Sequence, residues 1–206
     1  MTTQDRAQIT LITPPQVALE TFPATLARVM DASPVACLRL SLASRDEDHI
    51  ARVADALREL AHARDVPIVI DRHVLMAERL GLDGVHLPDG ARGVRKLRTD
   101  LGSDAIIGAF CGQTRHEGMN AGEAGADYVA FGPIGSSALG DGAVAALELF
   151  QWWSEIVEVP VIAEGGLTAD LVAAFAPFTD FFAVGDEIWA ADDPAAALAV
   201  LTRALR

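Results

Sequence analysis

Apolar residues fall along this chain in two alternating textures. Short runs occur at ITLIT (9–13), VACLRL (35–40), PIVI (67–70), GVHL (84–87), AIIGAF (105–110), YVAFG (128–132), PVIAE (160–164) and DFFAV (180–184). Each has strand length, and most are rich in β-branched or aromatic residues. They are apolar at successive positions, as strands buried on both faces are, which predicts a parallel sheet. Between them lie segments with helical period. The clearest is DEDHIARVADALRELAHARD (46–65), where Ile50, Val53, Ala54, Leu57, Leu60 and Ala61 share one face. Its first turn is acidic, as the helix dipole prefers. The last segment, 193–206, opens with Asp193 at the N-cap and Pro194 at the first helical position.

Eight strand candidates, each followed by a helix candidate, predict an α/β fold of one domain over residues 1–206, a single closed (β/α)8 TIM barrel. An open doubly wound sheet would more often carry a glycine fingerprint after its first strand, where this chain has Pro14–Pro15. In a barrel the functional residues sit where strands end and βα loops begin. That directs attention to Arg39 and Ser41, Asp71 and Arg72, His86 to Asp89, Cys111, the loop after the sixth strand, Glu164 to Gly166, and Gly185 to Glu187. A phosphate group would sit at the loops after the seventh and eighth strands, around Gly165, Gly166, Gly185 and Asp186.

Composition narrows the function. Hydrophobic residues make up 51% of the chain, enough for a sizeable core, and the net charge is −13. A nucleic-acid binder needs a basic stripe, so neither nucleic acid nor an anionic membrane surface is an expected partner. Cys37 and Cys111 lack metal-ligand spacing and read as reduced, buried thiols. The start MTTQDRAQIT has no signal-peptide pattern, and no apolar run approaches the ~18–20 residues that span a bilayer. A soluble cytoplasmic protein is expected.

The loop AFGPIGSSALGDG (130–142) is rich in glycine and small hydroxyls, as a diphosphate cradle would be, yet it contains no Lys, Arg or His. Around it, ACLRL (36–40), IDR (70–72), DGVHLPDG (83–90), IIG (106–108), GADYVAFGPI (125–134), PVIAEGGLT (160–168) and AVGDEIWAADDPAAAL (183–198) occur in order. Together they resemble the thiamine phosphate synthase family and its relatives, the TenI-type thiazole tautomerases, over nearly the whole chain. The resemblance implies coupling of a hydroxymethylpyrimidine diphosphate to a thiazole phosphate, with Mg²⁺ and cationic side chains offsetting the charge of the departing diphosphate. It also implies Asp71 as a metal ligand.

Position by position, the family's charge-bearing pattern is only partly present. Arg39 matches the Arg of an Arg-x-Lys pair, but Ser41 stands for the Lys. Asp71 and Arg72 remain, with Ile70 in place of an Asn; PDGAR (88–92) replaces a Gly-Gln-x-Asp; Phe110 replaces a serine. GSSALGDG stands where a Thr-x-Thr-Lys segment belongs, and Pro133 where tautomerases carry a His. Glu164 precedes the double glycine, and Asp186–Glu187 replace a Ser-Ala pair. These carboxylates oppose a phosphate dianion at the same rim.

Arg39, Asp71, His86 and Glu164 are therefore the catalytic candidates. Arg39 either grips a ligand or is satisfied by a neighbouring carboxylate. Asp71 and Arg72 point to opposite faces of a strand, so Asp71 is expected at the barrel mouth and Arg72 against a helix. Glu164, closing an apolar strand, is a general base, a hard-oxygen metal ligand together with Asp71, Asp186 and Glu187, or a salt-bridge partner of Arg39. Adjacent Trp152 and Trp153 point about 100° apart, so one is expected at a subunit interface, which suggests a homodimer without establishing it. The expected function is that of a synthase-like protein of weak or altered activity on a small ligand at the C-terminal face. The alternatives are a catalytically silent binding or regulatory barrel and a TenI-like isomerase with a different acid/base.

Overall fold

In a computed structural model, which describes residues 6–205, all eight expected strands are present. They are β1 (Gln8–Ile12), β2 (Cys37–Leu40), β3 (Ile68–Asp71), β4 (Gly84–Leu87), β5 (Ile106–Phe110), β6 (Tyr128–Phe131), β7 (Val161–Glu164) and β8 (Phe181–Val184). Every neighbouring pair is parallel, and β8 closes on β1, so the sheet is a complete barrel. The helices are α1 (Phe22–Ala32), α2 (Glu47–His62), α3 (Val94–Leu101), α4 (Arg115–Glu123), α5 (Leu147–Ile156), α6 (Ala169–Phe175), α7 (Asp186–Trp189) and α8 (Pro194–Ala204). One expected helix is missing. After β3 the chain makes only a 3-10 turn at Val74–Met76, and Met76, Ala77 and Leu80 are buried where a full helix would have packed.

The two helices with the clearest sequence signals are capped as expected. Asp46 accepts the backbone N–H of Asp48 and of His49 at 3.0 and 3.2 Å, and Asp193 those of Ala195 and Ala196 at 3.1 and 3.3 Å. At the opposite end of the barrel, three aspartates each tie the preceding strand to the next. Asp83, Asp127 and Asp180 accept the N–H groups of Ile68, Ile107 and Val161 at 2.7–2.8 Å. Such charge-assisted bonds fix register at the end of the barrel remote from the loops that carry function.

Alternation along the strands splits the buried residues into two groups. Leu38, Leu40, Ile68, Ile70, Val85, Ile107, Val129, Phe131, Val161 and Phe182 belong to the large core that includes the helices. Tyr128, Ala130, Ile162 and Ala183, with Ile12, Ile106, Phe110 and Phe181, form a separate cluster inside the barrel. Trp153 is in the outer core, its indole N–H donated to the carbonyl of Val159 at 2.7 Å. Trp152 is half-buried beneath the Arg115 guanidinium, 4.5 Å from its ring centroid. No helix among the described residues is long and apolar enough to cross a membrane.

Candidate functional site

Strand register, rather than proximity in sequence, gathers the polar residues. Arg39 pairs with Val69, Asp71 with His86, His86 with Gly108, Gly108 with Tyr128 and Glu164 with Ala183. All have the parity that points inward. Arg39, Asp71, His86, Tyr128 and Glu164 therefore share the barrel interior, and four of the five were candidates from sequence.

Arg39 is the hub. Its Nη2 lies 2.7 Å from Glu164 Oε2, its Nε 3.7 Å from Asp71 Oδ1, and its Nη1 donates to His86 Nε2 at 3.0 Å. The side chains are 6% (Arg39), 12% (Asp71) and 2% (Glu164) exposed, so the ion cluster lies away from bulk water. Contact and hydrogen bonding do not coincide here. Glu164 Oε2 is close to the guanidinium but off its N–H axis, and Arg39 Nε, Asp71 Oδ1 and Glu164 Oε2 all lack an aligned partner. Buried polar atoms left in that condition are costly unless something else meets them.

His86 is part of this network rather than a free acid or base. Burial, with the Arg39 charge beside it, holds its pKa well below 6.5. A guanidinium only donates, so Nε2 must accept from Arg39; the neutral ring then carries its proton on Nδ1 and donates it to Tyr128 Oη at 2.9 Å. Tyr128 is the residue sequence reasoning missed. Its signal was Gly108, where a Cβ would lie 1.9 Å from the Tyr128 ring, so that glycine makes room for the phenol across the barrel.

A pH prediction follows from the neutral histidine. The unfolded chain takes up a proton near 6.5 and the folded chain does not, so this group's contribution to stability is complete above that value and lost as pH falls below it. Between pH 7.5 and 5.5, urea unfolding should show the wild type losing ~1 kcal/mol more stability than His86→Asn. Equal losses would place the His86 titration elsewhere.

Burial also acts on the carboxylate. It raises the Glu164 pKa, an effect the Arg39 charge opposes and Asp71 reinforces. Both thiols are pushed up to about 12 by burial, which keeps Cys37 and Cys111 protonated and unreactive.

Above the cluster opens a pocket of about 390 Å³, walled by Thr13, Ser41, Pro88, Phe110, Ser137 and Leu139. Its charged lining is two arginines, Arg39 and Arg72, against four carboxylates, Asp71, Glu164, Asp186 and Glu187. Arg72 corrects an expectation. At φ +62° it leaves the strand, so the alternation that would send it outward no longer applies. It reaches the same pocket as Asp71 and forms no ion pair with any described residue.

The expected phosphate residues divide. Gly165 and Gly185 line the pocket together with Asp186, whereas Gly166 lies against the backbone of Gly135, 2.6 Å from where its Cβ would be. The double glycine, at φ +82° and +73°, lets the loop after β6 pack closely on it, with Ile134 and Gly135 both donating to the Gly165 carbonyl at 3.0 Å. Glu187 turns inward, its Oε1 accepting the Leu167 N–H at 3.1 Å and its Oε2 the Gly185 N–H at 2.9 Å.

Three of the four pocket carboxylates contact Arg39 or backbone amides, which leaves Asp186 to face a Mg²⁺ ion. No three His, Cys, Asp or Glu side chains converge among the described residues. Mg²⁺ is typically held by one or two carboxylates free to face it. Here Asp71 and Glu164 share one guanidinium, and both oxygens of Glu187 are engaged by backbone amides.

A family model described as thiamine monophosphate synthase matches residues 9–188. A thiamine-phosphate synthase of Rhodospirillum centenum is 41% identical over 204 residues, covering 95% of this chain and 96% of that protein. Another, of Erythrobacter litoralis, is 39% identical over 203 residues, covering 94% of this chain and 93% of its own. Among solved structures, a thiamine phosphate pyrophosphorylase from Pyrococcus furiosus superposes with a TM-score of 0.84 at 22% identity. That match covers 99% of this chain and 98% of the other, and is a likeness of fold.

Proposed function

Because the chain belongs to the thiamine monophosphate synthase family, we propose that its mouth pocket takes a small heterocyclic ligand of thiamine biosynthesis and couples it in the family's manner, weakly or in altered form. The observation that carries this reading is the state of Arg39. The one family-pattern cation left after β2 is already matched by Glu164 and Asp71 and bonded to His86, so little of its charge is free for a departing diphosphate. Each pocket carboxylate about 4 Å from an incoming anion adds repulsion of roughly 1 kcal/mol per unit charge in water, and several times that in a partly dry pocket. Arg72, which has no ionic partner among the described residues, is the natural anchor for whatever anionic group the ligand retains.

In this reading Arg39, Asp71 and Glu164 meet the ligand, and their unaligned polar atoms are completed by its donors and acceptors. His86 and Tyr128 are positioning residues that hold the guanidinium in plane. The test is formation of thiamine phosphate from hydroxymethylpyrimidine diphosphate and thiazole phosphate by the purified protein, together with complementation of a thiamine-requiring host. Growth at ordinary expression would overturn the claim of weakened activity.

A further inference from the structure

The short helix α7 places a negative charge where barrels of this architecture hold a ligand's phosphate. In (β/α)8 enzymes that group sits on backbone amides of the loops after the seventh and eighth strands. Here the N–H of Leu167, after β7, and the N–H of Gly185, after β8, both point to one carboxylate, that of Glu187. The bond to Gly185 is a local one at the start of α7. The bond to Leu167 is not: it crosses between loops and contributes nothing to capping that helix. Nor is Glu187 a loose surface side chain, because α7 is pinned by buried Ile188 and by the Trp189 indole N–H, donated to the Ile12 carbonyl at 2.6 Å.

A carboxylate accepting two amide N–H groups through its two oxygens reproduces what two oxygens of a phosphate would do there. We propose that Glu187 is a built-in anion that fills this amide cradle and makes the site specific for an unphosphorylated ligand, a neutral or cationic heterocycle bearing hydroxyl or amine donors. The charge of the pocket points the same way: four carboxylates, Asp71, Glu164, Asp186 and Glu187, line it against two arginines, and Arg39 is already paired with Glu164. The inference rests on the reading of the mouth pocket as the ligand site and narrows it. The acceptor substrate would be the thiazole alcohol in place of its phosphate ester.

Inorganic phosphate is the direct probe, because it reports on the cradle without requiring turnover. In the wild type, phosphate should leave the backbone amide resonances of Leu167 and Gly185 unmoved. In Glu187→Ala the same amides should shift saturably, with phosphate bound at least roughly tenfold more tightly, a change of about 1.4 kcal/mol. Calorimetry with the thiazole alcohol and the thiazole phosphate should show the wild type favouring the alcohol and Glu187→Ala swinging roughly tenfold or more toward the phosphate. If Glu187→Ala does not fold, Glu187→Gln removes the charge at constant size and is judged by the same criteria. Saturable phosphate binding at those amides in the wild type overturns the proposal, as does a folded variant that binds phosphate no better. A variant that gains phosphate while neither protein binds a thiazole upholds the filled cradle and rejects the pocket's assignment instead.

Discussion

Thiamine phosphate formation from the two family substrates is expected to run roughly four orders of magnitude slower than in a member carrying the full set of cations. Losing one group that stabilises charge developing in the transition state costs about 3 kcal/mol, and two such losses give about 10⁴ in rate. The two positions are Ser41, where the resemblance implies a lysine, and the loop GSSALGDG, which contains no cation. Both border the pocket, through Ser41 itself and through Ser137, Ala138 and Leu139. The relatives' names bear on the class of reaction, while the charge around the pocket bears on its rate. Ser41→Lys should therefore raise turnover by more than tenfold, since it restores a cation on the wall next to Arg39. Measuring product by liquid chromatography across wild type, Ser41→Lys and Arg39→Met separates the alternatives. Wild-type turnover comparable to an intact family member would mean that Arg72 alone supplies the missing stabilisation.

The barrel was legible in the sequence because its strands are buried on both faces and read as unbroken apolar runs. The connection after β3 was not, because Val74, Met76, Ala77 and Leu80 cover the barrel's flank without forming a helix beyond the 3-10 turn at Met76, and Leu75 points to solvent. The site was legible as a set of strand ends, and Arg39, Asp71, His86 and Glu164 do meet. Within that set the salt bridge of Arg39 with Glu164 was one of three roles open to that glutamate, whereas the places of Asp71 and His86 around the same guanidinium were not legible. The resemblance reads Asp71 as a metal ligand, and the barrel fold reads the double glycine as a phosphate turn. Register and backbone geometry add that Asp71 lies beside a guanidinium and Gly166 against the β6 loop. Tyr128 sits in an apolar run where a tyrosine looks like core, and only the pairing of Gly108 with it reveals a phenol lying across the barrel. Arg72 was misjudged for the opposite reason: strand alternation was extended one residue past the point where a positive φ ends it.

The pairing of Arg39 with Glu164 carries the largest expected effect on stability. Arg39→Met leaves two carboxylates facing each other inside the barrel, and Glu164→Leu leaves a buried guanidinium with only the more distant Asp71, at 3.7 Å. Stranding a buried charge costs about 3–5 kcal/mol, whereas removing both partners of a pair is often close to neutral. The double variant Arg39→Met/Glu164→Leu should accordingly be more stable than either single variant, and the coupling should appear directly in a double-mutant cycle from urea unfolding. The two single variants should also differ in pH dependence. With Arg39 gone, nothing offsets the burial that raises the Glu164 pKa, so the folded protein holds that proton where the unfolded chain has released it. Stability of Arg39→Met then falls as pH rises above about 4.5, the ordinary value of this carboxyl, and the variant is least stable at neutral pH. Glu164→Leu has no such carboxyl and should not show that decline. Adding Mg²⁺ separates structure from chemistry: an unchanged melting temperature in the wild type fits a counter-charge to Arg39. A Mg²⁺-induced rise that disappears in Glu164→Gln would make Glu164 a metal ligand and remove the ion pair as the reason this carboxylate lies in the barrel.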